Sequence, residues 1–338
     1  MHKLVLKSLL IFSFISVLFS CGNSKDRTED VDLSEVKEVK VEISRYEQAL
    51  FSMDPDNIEI EIKEVANEFP QFLQGDLSDS LNIMQLHDFI SDPTILRLYE
   101  DCQNVFPTLE NLEKEFSEAF RYYLYYFPKD TVPEVITYVS GGDFEHPVKY
   151  INNQIIVALD MYLEQDYPMY SMWGIPEFAS YTMDEEYILA DAMYEIAVSK
   201  VPFEKADKSL LEMMVYYGKL YYFVDAMMPE LGDSIIIGYT PTQTDWIIEN
   251  EGNVWGFFVD KELLYSTDHK KINSFLSEGP FTSAFSKESP ATIARWIGWR
   301  IVKKYMNENE QIELSEMLLQ NDAQAILSKS RYKPEKTE

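Results

Sequence analysis

The stretch Pro133-Glu-Val-Ile-Thr-Tyr-Val-Ser-Gly-Gly142, followed by Ile155-Ile-Val-Ala-Leu159, carries the sheet signal of a 338-residue chain. Val135, Thr137 and Val139 alternate with Ile136 and Tyr138, and β-branched and aromatic side chains of this kind fit a pleated surface. Gly141-Gly142-Asp143 marks a turn. Both runs are nearly continuous in apolar character, the pattern of strands covered on both faces by helices. Upstream, Val39, Val41 and Ile43 alternate with charged residues and suggest a short edge strand.

Outward from these runs the period is helical. Leu81, Met84, Phe89 and Ile90 mark one helix, and Ile95, Leu98, Tyr99 and Cys102 the next. Thr108 is placed to cap a longer one carrying Leu112, Phe116, Phe120 and Tyr123 at three- and four-residue spacing. Met183–Val198 reads as a helix with Asp184, Glu185 and Glu186 at the positive end of its dipole. Lys208–Met228 is a long helix stopped by Pro229, and Thr240-Pro241 opens another that reaches Leu264. Pro290 begins a helix ending near Asn307, and Leu314–Ser328 holds one or two more. Between Asp160 and Tyr181 lies a loop rich in Tyr, Pro and Met. Only 12 Gly and 15 Pro are present, so turns are scarce and long helices are favoured. The fold class is therefore mainly α with a small central β element, an α+β arrangement.

The first 20 residues have the layout of a secretory signal: His2, Lys3 and Lys7, an apolar run Leu9–Phe19, and small Ser20 directly before Cys21. The run is too short to cross a bilayer as a helix. The cysteine after a small residue is similar to the lipobox of bacterial lipoproteins, which implies a diacylglycerol on Cys21 and an anchor in a membrane of the cell envelope. The chain then divides into a signal (1–20), a lipidated start with a flexible linker (21–38), one α-rich domain (39–331) and a polar tail (332–338).

A net charge of −29 argues against nucleic acid or anionic lipid as ligand. With Cys21 acylated, Cys102 has no disulfide partner and reads as a small buried apolar residue. No two histidines stand four apart, and no nucleophile elbow, phosphate-cradling loop or dinucleotide fingerprint occurs. Acids are abundant, and Asp160, Glu164 and Asp166 cluster just beyond a buried strand. Asp160, Tyr162, Asp166, Tyr167, Tyr170 and Trp173 make this the candidate binding loop, either as a carboxylate pair or as an aromatic platform for glycan or peptide. Asp191 and Glu195 stand one helical turn apart and read as a solvated face. The aromatic helix Met213–Phe223 reads as core. Gly298, between Trp296 and Trp299, suggests a helix pressed closely on a neighbour, with Arg295 and Arg300 pairing with some of the acids.

Several long segments share a further resemblance. Pro133–Gly142, Val157-Ala-Leu-Asp-Met-Tyr-Leu163 with Asp166-Tyr-Pro168, Leu210–Phe223, Thr240–Trp255, and Ser289-Pro290 leading into Trp296-Ile-Gly-Trp-Arg-Ile-Val302 resemble, in that order, the gliding-motility lipoprotein GldB family of the Bacteroidetes. One departure is Pro290-Ala-Thr-Ile-Ala, where the family reads Pro-Gly-Arg. The resemblance implies a membrane-anchored component of surface gliding that works beside the envelope motility and type IX secretion machinery. It also implies a distant zincin-like scaffold in which Asp191-Ala-Met-Tyr-Glu195 replaces the His-Glu-x-x-His helix and Tyr217-Gly218 the following Glu-Gly step. Such a pseudo-protease lacks both imidazoles that would hold zinc. The leading expectation is a non-catalytic envelope lipoprotein, without cofactor or metal, that binds other motility or secretion proteins. A divergent metallo- or carboxylate-based hydrolase and a glycan- or peptide-binding lipoprotein are the alternatives.

Overall fold

A computed structural model describes residues 26–203 and 208–335. The signal segment and Cys21 lie outside the described residues. Four strands, β1 (Ile43–Arg45), β2 (Glu134–Tyr138), β3 (Val148–Ile151) and β4 (Gln154–Ala158), form one sheet in the order β1-β2-β4-β3. β1, β2 and β4 are parallel, and β3 returns antiparallel to β4. β1 occupies an edge, as the alternation around Val41 suggests, although its paired residues begin at Ile43.

β3 is a strand that the sequence reading left out. It closes a two-residue hairpin through Asn152 and Asn153, both at positive φ (52° and 62°). That is the conformation an inward-twisting hairpin turn demands and asparagine tolerates. The Asn153 amide also donates to Val132 O at 3.2 Å, pinning the hairpin to the start of β2.

Fifteen helices surround this sheet among the described residues. On one face lie α1 (Tyr46–Phe51), α2 (Ile58–Glu68) and α3 (Ser80–Ser91), whose Leu50, Ile62 and Phe69 share a small core with Ile136 of β2. Val135, Ile155 and Val157 point to the other, larger core. Side chains of successive strand residues alternate between faces, so two separate cores follow from one sheet. The larger core receives α4 (Pro93–Val105) and α5 (Glu110–Tyr126), then α6 (Pro168–Met172), α7 (Glu177–Ser180), α8 (Glu185–Lys200), α9 (Leu210–Met227) and α10 (Asp233–Ile237). The chain continues through α11 (Pro241–Asp260), α12 (His269–Leu276), α13 (Ile293–Glu308), α14 (Leu314–Leu319) and α15 (Ala323–Ser330).

The aromatic helix α9 is indeed core: 14 of its 18 residues are buried, among them Tyr222 and Phe223. A capping box between Ser209 and Glu212 starts it. Thr240 and Gln243 do the same for α11, with Pro241 at the first helical position, and α11 runs unbroken through Gly252. α13 lies across α9 at a glycine-to-glycine crossing, with no room for a side chain at either Gly218 or Gly298.

Several boundaries differ from expectation. α5 follows Leu109 without a side-chain cap, so Thr108 is not its capping residue. α13 begins at Ile293 because Thr292 holds a left-handed φ of 52°, which stops the helix from reaching back to Pro290. α11 ends at Asp260, and Glu262 (φ 54°) reverses the chain before Leu264. The loop between Asp160 and Tyr181 contains α6 and α7, both too short to show a period. The linker expected through Glu38 is docked from Asp26: Arg27–Glu29 forms a 3-10 turn, Thr28 is buried, and the Asp26 carboxylate sits 2.7 Å from Lys303 Nζ. At the other end Tyr332, placed in the polar tail, belongs to the packed body. Its hydroxyl donates to Glu251 Oε1 at 2.8 Å and its ring meets Trp255 edge-on. Among the described residues no helix is long and apolar enough to cross a membrane.

Candidate functional site

The loop singled out from the sequence folds inward. Asp160 is fully buried, and its carboxylate accepts from Ser140 N (2.8 Å), Ser140 Oγ (2.8 Å) and Gly142 N (3.0 Å). Burial pushes its pKa up, while the Ser140 and Gly142 donors pull the other way. Asp160 therefore ties the 140–142 turn to the end of β4, and its oxygens are already engaged. Tyr170 is buried beside it, donating to Asp160 O at 3.0 Å and accepting from Leu163 N at 2.9 Å. The Tyr167 hydroxyl donates to Asp101 Oδ2 at 2.8 Å. Trp173 lies half-buried against Gly142. Tyr167, Tyr170 and Trp173 are neighbours, with ring centres 5.3 and 6.3 Å apart in succession, but they line the protein rather than offer a platform. Asp166 is exposed, so it shares no site with buried Asp160.

Tyr162 points elsewhere. It is buried, and its hydroxyl donates to Asp191 Oδ2 at 2.7 Å in the wall of a cavity of about 1010 Å³. This volume stands at the upper end of the range of small-ligand sites. The cavity is built by the turn Phe144–Val148, Met161 and Tyr162 just past β4, α7, α8, Tyr221 of α9, the α10–α11 junction, Glu278–Pro280, and the start of α13. Phe144 and Phe178, each about two-fifths exposed (39% and 40%), stand at its margin.

α8 supplies the chemistry. Tyr187, Asp191 and Glu195 recur every fourth residue and all line the cavity, with Tyr194 beside them. The acid pair expected on a solvated face thus faces an open cavity and is half-buried. The reason is that Tyr187–Ala190, Ala192, Met193, Ile196 and Ala197 are buried, which leaves no outer face at this level of the helix. Burial raises the Asp191 carboxyl to about 7, against the Tyr162 hydrogen bond and with help from the neighbouring Glu195 and Glu278 charges. Glu195 is also raised, by burial, with His146 opposing.

Opposite α8, Arg295 of α13 is fixed on three sides. Its Nε donates to Leu276 O at 2.9 Å, its Nη1 lies 3.8 Å from Glu278 Oε1, and its guanidinium sits 4.5 Å from the Tyr217 ring centre. Arg300, one turn further, pairs with Glu251 at 3.4 Å and Asp233 at 3.9 Å, as the sequence suggests for both arginines. Tyr239 closes the floor, donating to Ala291 O at 3.0 Å. Thr292 nearby is a β-branched residue in the left-handed region, a strained conformation that surrounding structure must hold.

No group of three or more His, Cys, Asp or Glu side chains is arranged to hold a metal among the described residues. The α8 pair does not fit zinc: both donors are carboxylates, one is held by Tyr162 and favours its proton near neutrality, and zinc sites call for imidazole or thiolate. Cys102 is buried, and burial pushes its thiol up, away from nucleophilic use.

No protein of curated function and no solved structure matches the chain. A family model described as gliding motility protein GldB matches residues 26–334, from the docked turn at Asp26 to just past Tyr332. The chain belongs to the GldB family of gliding-motility proteins.

Proposed function

We propose that this non-catalytic gliding-motility lipoprotein of the cell envelope acts by holding a segment of a partner protein, one of the motility or secretion components, in the α8 cavity. The single observation that carries this reading is the cavity itself. It is about 1010 Å³, walled by aromatic and aliphatic side chains interleaved with acidic groups from several segments, with two exposed phenylalanines at its margin. Exposed aromatics beside a concave site that mixes apolar and polar groups are what a polypeptide anchor needs. The chain is held to its membrane through lipid on Cys21. The scaffold is zincin-like, with the metal-binding helix kept as α8 and its ligands replaced by Asp191 and Glu195. The support for this is positional: both residues line the cavity one turn apart.

A photo-crosslinking amino acid placed at Phe178 in living cells tests the reading, with Ile60, an exposed residue of α2, as control. A discrete adduct from Phe178 and none from Ile60 is expected. No adduct, or the same adduct from both, refutes it. Palmitate labelling lost on Cys21→Ser tests the anchor, and unchanged labelling refutes that part alone.

A further inference from the structure

We propose that the segment taken up by the α8 cavity presents a primary ammonium group, the side chain of a lysine, to the stripe formed by Tyr187, Asp191 and Glu195. This inference rests on the docking reading above and adds the chemistry of the occupant.

The argument begins with charge. Five acidic side chains line the cavity (Glu145, Glu177, Asp191, Glu195 and Glu278) against one arginine and His146, which lies near Glu195. Arg295 is already engaged by Leu276 O, Glu278 and the Tyr217 ring, so it offers little to an anion. A cation entering this space meets the half-buried Glu195 carboxylate and draws Asp191 towards its charged form, in partly desolvated surroundings where an ion pair is worth more than in water.

Geometry adds to charge. Every fourth residue of a helix falls on one line, so the stripe from Tyr187 to Glu195 runs about 12 Å along the wall. An extended backbone covers that length in about four residues, which suits a short segment of chain. The Tyr187 hydroxyl, on a residue only 2% exposed, has Tyr181 as its polar neighbour. The Glu195 side chain makes no hydrogen bond and has only His146 near it as a balancing charge, whereas Asp191 has Tyr162. An ammonium has three protons to give, and the two carboxyl groups are acceptors for them.

The walls discriminate in the same direction. Tyr194 and Tyr221 stand with ring centres 5.5 Å apart beside Arg295, so this wall already accommodates one cation against aromatic side chains, whose faces attract positive charge through their quadrupole. The apolar floor from Ile235 to Ile237 suits an aliphatic stem rather than a fully hydrated ion.

The full-length lipoprotein in detergent, titrated calorimetrically, tests the proposal. The probes are a capped pentapeptide with one lysine among glycines, the same peptide with its lysine ε-acetylated, and spermidine. Saturable binding of the lysine peptide, no binding of the acetylated one, and at least ten-fold weakening by Glu195→Gln are expected. Glu195→Asp, which keeps the charge, should retain most of the affinity, which a merely structural role for Glu195 would not predict. Equal binding of both peptides, unchanged affinity in Glu195→Gln, or no binding of the lysine peptide at millimolar concentration overturns the proposal. Binding of spermidine alone also overturns it, by assigning the site to a free polyamine. An adduct from Phe178 that survives Glu195→Gln removes the lysine and leaves the docking reading standing, whereas absence of any adduct removes both.

Discussion

Replacing Gly298 by alanine should unfold this protein more easily, in opposition to the usual effect of alanine in a helix. A Cβ at Gly298 would lie 1.8 Å from Met214 O and 2.5 Å from its carbonyl carbon, and a Cβ at Gly218 would lie 2.2 Å from Gly298 O. Carbon and oxygen settle at about 3.3 Å or more, so α13 would have to move roughly 1.5 Å off α9. The obstructing atoms are backbone on both sides, and no rotamer change relieves the clash. A gap of even 0.5–1 Å forfeits about a quarter to a half of each dispersion contact across it, and the crossing carries fully buried Met214, Trp299 and Val302. Overpacking costs about 1–3 kcal/mol and more where the backbone is involved, while alanine returns about 1 kcal/mol of helix propensity. With the cost at the upper end of that range, a net loss of about 2 kcal/mol follows. At about 2 °C per kcal/mol for a chain of this size, the melting temperature followed by circular dichroism should fall by about 4 °C. Gly279→Ala, with open space around its Cβ, is the control and should change little. Gly218→Ala combined with Gly298→Ala should cost less than the sum, because both open the same crossing. A melting temperature for Gly298→Ala equal to or above that of the parent would refute the reasoning.

Asp191→Asn should stabilise the protein at pH 8 and do so less at pH 4. The native carboxyl titrates near 7 and the unfolded one near 3.8, so between these values the native state holds a proton the unfolded chain has lost, and stability falls as pH rises through the window. Asparagine removes that penalty, and an equal urea-midpoint difference at both pH values would contradict it. Asn153→Ala should lose about 1–2 kcal/mol, from a left-handed φ that alanine resists and the lost bond to Val132 O. Asn153→Gly should lose less, and the order of their melting temperatures checks this. Lys303→Met should cost about 1–3 kcal/mol, because the nearly buried Asp225 carboxyl, 2.9 Å from Lys303 Nζ and pushed up to about 8 by burial, loses that partner. The same change should release the 3-10 turn at Arg27–Glu29, seen as faster amide exchange at Thr28, and unchanged exchange there would show that Asp26 does not hold it.

Much of the fold was legible because long elements carry their own period. α5 announced itself through apolar spacing, α9 through its apolar and aromatic run and its Pro229 stop, α11 through its Thr240-Pro241 start, and β2 and β4 through β-branched runs. What escaped was local structure set by its surroundings. α6, α7 and α10 have four or five residues each, below the length at which a helix holds itself together, and exist because tertiary packing covers them. β3 escaped for another reason. Val148-Lys-Tyr-Ile151 is too short to show alternation, yet Asn152-Asn153 between it and β4 was a readable hairpin turn. The crossing of α9 and α13 was half legible: Gly298 pointed to close packing, but only the fold shows that Gly218 meets it.

The loop read from the sequence and the α8 cavity coincide only at Tyr162, because acids are so common here that their clustering says little. With 58 acidic residues in the chain, Asp160, Glu164 and Asp166 could fall together without purpose, and they do not act together. A better guide is the company an acid keeps. Asp191 follows Tyr187-Ile-Leu-Ala190 and precedes Ala192-Met193, apolar on both sides, so no rotation of that helix offers it an ordinary solvated stripe. A carboxylate in such a setting must find a buried partner or face an internal space, since burying it alone is costly. Asp191 does both, accepting from Tyr162 and facing the cavity. Glu195, one turn on, makes no such hydrogen bond. Retaining an acid at that place gains nothing for packing, and the charge it sets against the cavity is therefore best explained by what enters there.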